Sequence, residues 1–158
     1  MPPIITPATT IEAIRRAGDL YPEYAASGTY VGSPEYELDH VARGGRVILV
    51  ARVADQVAGV VQVIIRTTDQ AKLMAPDTAL LQRLRVIPTF RRQGLGRALN
   101  LAAEDTARKA GLTKIGLLVE ADNGAAIKLY RGLGYAFLRI TKGQVSGREF
   151  LAYTKDLS

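Results

Sequence analysis

The sequence predicts an α/β fold in which a mixed, mostly antiparallel sheet of about seven strands carries helices on both faces. Two β-branched runs, VILVARV and VAGVVQVII, are separated by three residues and have the pattern of a hairpin. Later in the chain, helical patterns alternate with single strands, and two strands close the sequence. The resulting order, β-α-α-β-β-β-α-β-α-β-β, is typical of helices packed on a mixed sheet.

Local start and stop patterns define the elements of the first half. Ile4 to Thr6 is expected to form a short strand, and Thr9 opens a capping-box spacing that predicts the first helix. Ser33 as N-cap and Pro34 at the first helical position predict a second short helix, which Gly44 ends. After the hairpin, the segment TTDQAKLMAPD is expected to be a loop.

The second half is expected to hold four further strands and two helices. The strands are Thr78–Ile87, Lys114–Val119, Tyr135–Thr141 and Arg148–Tyr153. The first helix has an apolar stripe of Leu95, Ala98, Leu99 and Ala102. The second helix is expected to run from a cap at Asp122 or Asn123 to Tyr130.

Length and composition restrict the possible mechanisms. The 158 residues are expected to form one domain, residues 1–158, that buries a core without disulfides or metals. The sequence has no cysteine, which excludes disulfides, thiolate metal sites and a cysteinyl acyl-enzyme. His40 is the single histidine and no GxSxG motif accompanies it, so an esterase triad is not supported. Without a signal-peptide pattern or a long apolar run, we expect a cytoplasmic protein with no membrane partner.

Positive charge is concentrated beside one glycine-rich segment. The formal net charge is +6, but the first fifty residues carry four Lys/Arg against six Asp/Glu, whereas the remainder carry seventeen against nine. Seven basic and two acidic residues lie between Arg83 and Lys109. Because the first fifty residues are acidic and no recognition helix or stacking-aromatic motif is present, we do not expect nucleic-acid binding.

The glycine-rich segment, FRRQGLGRALN, immediately precedes a helical run. Backbone N–H groups at a helix start lack intrahelical partners and the helix dipole adds partial positive charge, so a phosphate fits there. Gly94 and Gly96 allow close approach, and Arg91 and Arg92 add charge. The pattern predicts a phosphate cradle, with an ordinary helix N-terminus as the alternative. A dinucleotide-binding enzyme is the less favoured interpretation, because the third glycine position is Leu99.

With this order of elements, the stretches LRVIPTFRRQGLG and NGAAIKLYRGLGY resemble the GNAT superfamily of N-acetyltransferases over essentially the whole chain. The acetyl-CoA pattern of that superfamily is Arg or Gln, two residues, Gly, one residue, Gly or Ala. The resemblance implies a GNAT-like fold, an acyltransferase activity and acetyl-CoA as co-substrate. The cofactor-binding residues that it implies are Leu84, Arg85 and Val86 along pantetheine, Arg91, Arg92, Gln93, Gly94, Leu95, Gly96 and Arg97 at the pyrophosphate, and Asn123, Ala126 and Tyr130 beside the pantetheine arm.

The same resemblance implies that Tyr130 is the general acid that protonates the departing thiolate, with a core aromatic as the alternative. Asn123 either hydrogen-bonds the cofactor arm or caps its helix. Many relatives have a glutamate on the strand before the loop, where this chain has Gln82, Arg83 and Arg85, so the general base is unassigned. The candidates, each expected to be solvated, are Glu120, Glu35, Glu37 and Asp39.

The acceptor is expected to be a small-molecule or peptide amine. A lysine-like amine has a pKa of about 10.4, so its attack needs a base, a water chain or an environment that lowers that pKa. The resemblance implies that the two N-terminal helices cover the acceptor side. Carboxylates and tyrosine rings attract cations, and this region contains Asp19, Glu23, Glu35, Glu37, Asp39, Tyr21, Tyr24, Tyr30 and Tyr36.

These residues favour a cationic acceptor, with a merely solvated surface as the alternative. A CoA-binding domain without catalytic activity, which would have a regulatory role, also stays open, as does a homodimer. A phosphate cradle alone does not distinguish binding from turnover.

Overall fold

The computed structural model describes residues 2–22, 33–66, 75–142 and 148–158. Within these ranges the helices are α1 (Ile11–Gly18), α2 (Pro34–Ala42), α3 (Leu95–Lys109) and α4 (Gly124–Gly132), with a 3-10 turn at Pro88–Phe90. The strands are β1 (Ile4–Pro7), β2 (Arg46–Val53), β3 (Gln56–Ile64), β4 (Thr78–Val86), β5 (Lys114–Glu120), β6 (Ala136–Lys142) and β7 (Glu149–Asp156). The predicted element order is confirmed.

The seven strands form one sheet in the order β1-β2-β3-β4-β5-β7-β6. The β4–β5 pair is parallel and is connected through α3, whereas the remaining pairs are antiparallel. A helix between two parallel neighbours is the standard crossover, because parallel strands cannot be joined by a tight turn. The predicted mixed, mostly antiparallel sheet is therefore confirmed.

Helices cover the two faces of the sheet with separate cores. On one face, Ile14 and Ala17 of α1 pack with Ile48, Val50 and Val60 of the hairpin. The other core holds buried residues of α3 and α4 over the centre of the sheet, among them Leu95, Leu99, Ala103, Tyr130, Val61, Leu81, Ile115 and Leu117. The sheet is thus sandwiched between helices, as predicted.

The helix starts follow the predicted cap chemistry, with one change. Ser33 Oγ accepts from the Tyr36 backbone N–H, and Pro34 opens α2 as predicted. In α1 the cap is Thr10, whose Oγ1 accepts from Ala13 N at 3.2 Å, so the predicted cap at Thr9 is wrong by one residue. Two adjacent threonines offer the same chemistry, and the sequence alone did not distinguish them.

The buried face of α3 differs from the predicted stripe. Leu95 and Leu99 are buried as expected, but Ala98 and Ala102 are only half-buried, and the buried face continues through Ala103. It also includes two polar residues, Asn100 and Glu104. The face is wider because α3 contacts four strands, β2 to β5. In the described part of the chain, no helix has the length and apolarity needed to cross a membrane.

Candidate active site

The site begins where β4 and β5 separate. Their parallel pairing runs from Thr78↔Lys114 to Leu81↔Leu117, although β4 continues to Val86 and β5 to Glu120. Opposite this gap, β4 stays paired with β3. The β4 edge that faces β5 is therefore without strand pairing from position 82 onward, and an extended ligand can add to it as a strand would.

A backbone irregularity marks the point of separation. Arg83 has φ +56, and the β3–β4 register shifts between Val60 and Gln62, which is a β-bulge. The hydroxyl of Tyr21 donates to the Arg83 carbonyl. The Arg85 guanidinium donates to the Leu20 carbonyl at 3.2 Å and lies 5.2 Å from the centre of the Tyr21 ring. These contacts fasten the bulge to the end of α1.

The predicted phosphate cradle, residues 91–97, connects β4 to α3. Arg92 and Gly94 have φ of +63 and +80, and this alternation turns successive backbone N–H groups toward one side. Gly94 is the N-cap of α3 and provides no side-chain cap, so the first helical N–H groups remain available to an anion. A Cβ placed on Gly94 or Gly96 would meet nothing within 4 Å, so both glycines border open space.

A cavity of about 260 Å³ extends from the cradle to the end of β4 and to α4. Arg91 Nε donates to the Val86 carbonyl at 2.9 Å, which holds its guanidinium over the end of β4. Leu95 is buried, whereas Arg91, Arg92, Gln93 and Arg97 are exposed. The lining residues are Val86, Phe90, Arg91, Arg92, Gly94, Leu95, Gly96, Arg97 and Leu129.

The second predicted segment starts α4. Asn123 Oδ1 accepts from the Ala126 backbone N–H at 3.2 Å, so Asn123 caps the helix. Ala126 is half-buried against the core. The capping role takes up the oxygen of Asn123 and leaves its amide group to a ligand, so a contact from Asn123 to the pantetheine arm stays a prediction.

Tyr130 lies in the last turn of α4 and is only 8% exposed. Burial raises the pKa of its hydroxyl to about 12, so the group keeps its proton at neutral pH. Its neighbour Leu129 lines the cradle cavity. Tyr130 is therefore protonated, but its side chain belongs to the core and is not among the residues that line that cavity, so its role as a proton donor stays a prediction.

The candidate bases fall into two groups. Glu35 and Asp39 are exposed and Glu120 is half-buried. Each forms an ion pair with an arginine: Arg15 at 3.3 Å, Arg43 at 3.2 Å and Arg148 at 3.1 Å respectively. Hydrogen bonding from its own backbone N–H, joined by Ser33 and Arg15, lowers the pKa of the Glu35 carboxyl. Glu120 borders a cavity of about 440 Å³ with Ala121, Asp122, Arg148 and Glu149. No candidate is singled out as the base by these contacts.

Glu37 is the exception, and the prediction that it is solvated is wrong. Its side chain is 3% exposed, and Oε1 accepts from Gln62 Nε2 and from Arg83 Nη1, both at 3.1 Å, with Arg46 Nη1 at 3.7 Å. Gln82 Nε2 extends this chain by donating to Gln62 Oε1 at 3.1 Å. The burial of Glu37 could not be predicted from the sequence, because the α2 pattern is weakly amphipathic and rich in acids.

The tyrosines of the acceptor side are placed differently from one another. Tyr21 is 4% exposed and faces Arg85, whereas Tyr36 is 42% exposed with the Arg46 guanidinium 5.9 Å from its ring centre. Asp19 is described and exposed at the end of α1. Glu23, Tyr24 and Tyr30 lie outside the described residues.

An unpaired strand edge beside a glycine-rich, basic helix start defines a site for an extended phosphate-bearing ligand. The family model of the acetyltransferase (GNAT) family matches residues 15–135, and the chain belongs to this family. The predicted resemblance is confirmed. The family is one of acetyltransferases.

Two curated relatives match about a third of the chain. The chain is 49% identical over 51 residues to the mycothiol acetyltransferase of Renibacterium salmoninarum, covering 32% of this chain and 15% of that protein. It is 46% identical over 59 residues to the [Ribosomal protein bS18]-alanine N-acetyltransferase of Escherichia coli (strain K12), covering 37% of this chain and 40% of the relative. The matches therefore span less than half of each of these relatives.

A solved structure extends the likeness to the whole fold. An acetyltransferase from Salmonella typhimurium, determined with its cofactor acetyl-CoA, has a TM-score of 0.75 and 21% identity. The alignment covers 99% of this chain and 94% of that one. At this identity the likeness supports the fold, and the roles of individual residues are argued from the geometry above.

Proposed function

We propose that the protein is an acetyl-CoA-dependent N-acetyltransferase that transfers the acetyl group to a primary amine by direct attack. One observation carries this proposal: a single cavity joins the end of β4, the basic glycine loop and α4 next to Tyr130. Acetyl-CoA has a pyrophosphate, an amide-bearing arm and a thioester, and the cradle, the unpaired β4 edge and the α4 tyrosine meet these three parts in order.

The cradle residues Gln93 to Arg97 hold the pyrophosphate through backbone N–H groups, with Arg91, Arg92 and Arg97 adding charge. The backbone of Leu84 to Val86 pairs with the pantetheine amides. Backbone N–H groups of this segment also polarise the thioester carbonyl, which stabilises the oxyanion that develops there.

The neutral amine attacks the carbonyl carbon, a C–N bond forms and the C–S bond breaks. Tyr130 donates its proton to the departing sulfur and regains one from solvent, while the amine loses its extra proton to water or to a base. The chain supplies no cysteine nucleophile, so direct transfer needs no covalent enzyme intermediate.

We further propose a cationic acceptor, on the acceptor side formed by α1 and α2. The Arg15–Glu35 and Arg43–Asp39 pairs are exposed, and exposed pairs contribute only about 0–1 kcal/mol, so an acceptor ammonium can displace the arginine. Glu37 is not expected to bind the acceptor, because it is buried and hydrogen-bonded within the protein. One relative acts on an alanine of a ribosomal protein, as its name states, so a peptide N-terminus belongs in the test set.

Release of free CoA from acetyl-CoA, measured over a panel of amines, tests the proposal. The panel includes lysine peptides, free peptide N-termini, polyamines, aminoglycosides and anionic amines. We expect a cationic or peptide amine to be the best acceptor. If the protein binds acetyl-CoA and no amine stimulates release, it is a CoA-binding domain without catalytic activity.

Charge variants test the acceptor side separately. The double variant Glu35→Gln, Asp39→Asn should raise KM for a cationic acceptor several-fold and leave KM for acetyl-CoA unchanged. Asp105→Asn is the control, because Asp105 forms an exposed i,i+4 pair with Lys109 on α3, as Asp39 does with Arg43 on α2. An anionic best substrate, or a KM for the cationic acceptor in the double variant equal to that of Asp105→Asn, contradicts the cationic acceptor.

A further inference from the structure

Four side chains form a buried polar cluster between α3, α4 and β7, here called the Tyr135 cluster: Asn100, Glu104, Tyr135 and Lys155. Asn100, Glu104 and Tyr135 are 0%, 1% and 3% exposed. Burying a carboxylate and an amide is costly, and apolar side chains of the same volume often fill such a space at no loss of stability. The cluster therefore calls for an explanation beyond packing.

Hydrogen bonds orient the Tyr135 hydroxyl toward α3. It lies 3.2 Å from Glu104 Oε2 and 3.2 Å from Asn100 Oδ1, and its one proton can serve only one of these acceptors at a time. Lys155 Nζ donates to the other oxygen of Glu104 at 2.8 Å, with Arg108 at 3.9 Å. Burial and the Glu104 carboxylate raise the pKa of Tyr135, so its hydroxyl remains a donor at neutral pH.

Asn100 adds a second reason to regard the cluster as a fixed unit. Its Nδ2 is fully buried and has no hydrogen-bond partner among the described residues. With the amide turned over, Nδ2 would donate to the Tyr135 oxygen while Tyr135 donates to Glu104. That orientation gives a continuous chain from Asn100 through Tyr135 to Glu104 and Lys155.

The cluster touches Tyr130 through Tyr135. The two rings meet edge to face, with centres 5.7 Å apart and planes at 69°. The Tyr135 backbone N–H also donates to the Tyr130 carbonyl at 3.0 Å, across the end of α4. In the described part of the chain no hydrogen bond engages the Tyr130 hydroxyl, so ring packing sets its direction.

We propose that Tyr135, anchored to α3 by Glu104, is a positioning residue that holds the Tyr130 ring so that its hydroxyl faces the departing thiolate. This inference rests on the proposed function, since it takes Tyr130 as the acid. It also gives the cluster a geometric purpose. The helix α3 begins at the pyrophosphate cradle and α4 carries Tyr130, so one buried cluster fixes both relative to each other.

A double-mutant cycle on the full chain tests this proposal. We would measure kcat, KM for the acceptor, acetyl-CoA affinity and Tm for Tyr130→Phe, Tyr135→Phe and the double variant. Tyr135→Phe should lower kcat about tenfold with acetyl-CoA affinity within about twofold, because a misplaced acid costs rate rather than binding. In the Tyr130→Phe background, the same change should alter kcat less than about twofold.

Tyr153→Phe is the matched control. Tyr153 is also buried on the sheet and meets an aromatic ring edge to face, but that ring is Phe137, 5.9 Å away. Its kcat should equal that of the parent. Glu104→Gln and Glu104→Leu form a second pair of variants. This pair alone tests the positioning role if Tyr135→Phe does not fold. Gln keeps an oxygen that accepts from Tyr135 and should retain most of kcat, whereas Leu should lose about as much as Tyr135→Phe.

Two failures are distinguishable. If Tyr130→Phe retains full kcat, Tyr130 is not the acid, and both that part of the proposed function and this inference are wrong. If Tyr130→Phe is impaired but Tyr135→Phe lowers kcat equally in both backgrounds, or not at all, only the positioning role is wrong. Equal kcat for Glu104→Leu and the parent also overturns it.

Discussion

Nη1 of Arg83 donates a 3.1 Å hydrogen bond to Oε1 of Glu37, joining the β4 bulge to the buried side of α2. The same carboxylate oxygen accepts from Gln62 and has Arg46 at 3.7 Å. The Arg83 carbonyl accepts from the Tyr21 hydroxyl. Both helices of the acceptor side are thereby bonded to the strand segment along which we propose the thioester lies.

Glu37→Ala should lower the free energy of unfolding by about 3–5 kcal/mol, because it leaves buried guanidinium and amide groups without their acceptor. Glu35→Ala on the same helix should cost much less, since Glu35 and its ion pair with Arg15 are exposed to solvent. Urea unfolding of the two variants measures the difference. Equal stabilities would contradict the structural role of Glu37.

Gly96→Asp should abolish or strongly weaken acetyl-CoA binding while the fold survives. The new side chain meets nothing within 4 Å in the protein, but its charge would lie where the pyrophosphate binds. Gly18→Asp adds the same group at an equally open position on α1 and should bind normally. Calorimetry with acetyl-CoA compares the two. Unchanged acetyl-CoA affinity in folded Gly96→Asp would mean that the cradle does not bind the pyrophosphate. Binding of NADH would favour a dinucleotide site.

Tyr130→Phe should lower kcat by about 10²- to 10⁴-fold, the usual contribution of general acid catalysis, with acetyl-CoA affinity little changed. Burial raises the pKa of Tyr130 from 10.0 to about 12, so the folded protein holds this proton more tightly than the unfolded chain does. The hydroxyl therefore remains a donor throughout the assay range, and the ratio of parent to variant kcat should stay constant from about pH 7 to about pH 10.

The same raised pKa makes a prediction for stability. The raised pKa of Tyr130 contributes to the free energy of unfolding. This contribution is fully present below about pH 10 and is lost between about pH 10 and 12, where the tyrosine of the unfolded chain ionises first. Tyr130→Phe should lack this part of the alkaline loss. A ratio of parent to variant kcat that already decreases at pH values under about 9 would contradict the buried environment of Tyr130. An alkaline unfolding curve of Tyr130→Phe identical to that of the parent would contradict it as well.

Gly59→Ala should destabilise the fold by about 1–3 kcal/mol, because an added methyl group overpacks the contact between β3 and α3. A Cβ at Gly59 would lie 2.9 Å from Leu99 Cδ1 and 3.1 Å from the Arg85 carbonyl oxygen. Gly96→Ala is the control, since its Cβ enters open space within a helix, where alanine is favoured. Thermal unfolding should rank Gly59→Ala below the parent and Gly96→Ala at or above it.

The fold was largely predictable from local chemistry. The Ser33-Pro34 start of α2 and the β-branched hairpin each specify their structure within a few residues, and the cradle glycines do the same for the loop. The conformation of this loop was predictable because the glycines and backbone N–H groups that define it are contiguous in sequence, and its binding of a pyrophosphate stays a prediction.

Buried polar contacts were not predictable, because they join residues far apart in sequence. Glu37 meets Gln62 and Arg83, and Glu104 meets Tyr135 and Lys155, over separations of 25 to 51 residues. A carboxylate in a helix of polar composition looks solvated until its partners are placed. The glutamate at position 104, four residues beyond Asn100 on the inner face of α3, is the one pattern that could have indicated such a cluster.

The stoichiometry of transfer to the best acceptor decides whether the protein is an N-acetyltransferase. Mass spectrometry of the acceptor and a thiol assay of the same reaction would count N-acetylated amine and free CoA. We expect equal amounts of the two from the parent protein and neither above background from Gly96→Asp. Free CoA without acetylated amine, or acetyl-CoA binding with no product for any amine, would contradict it.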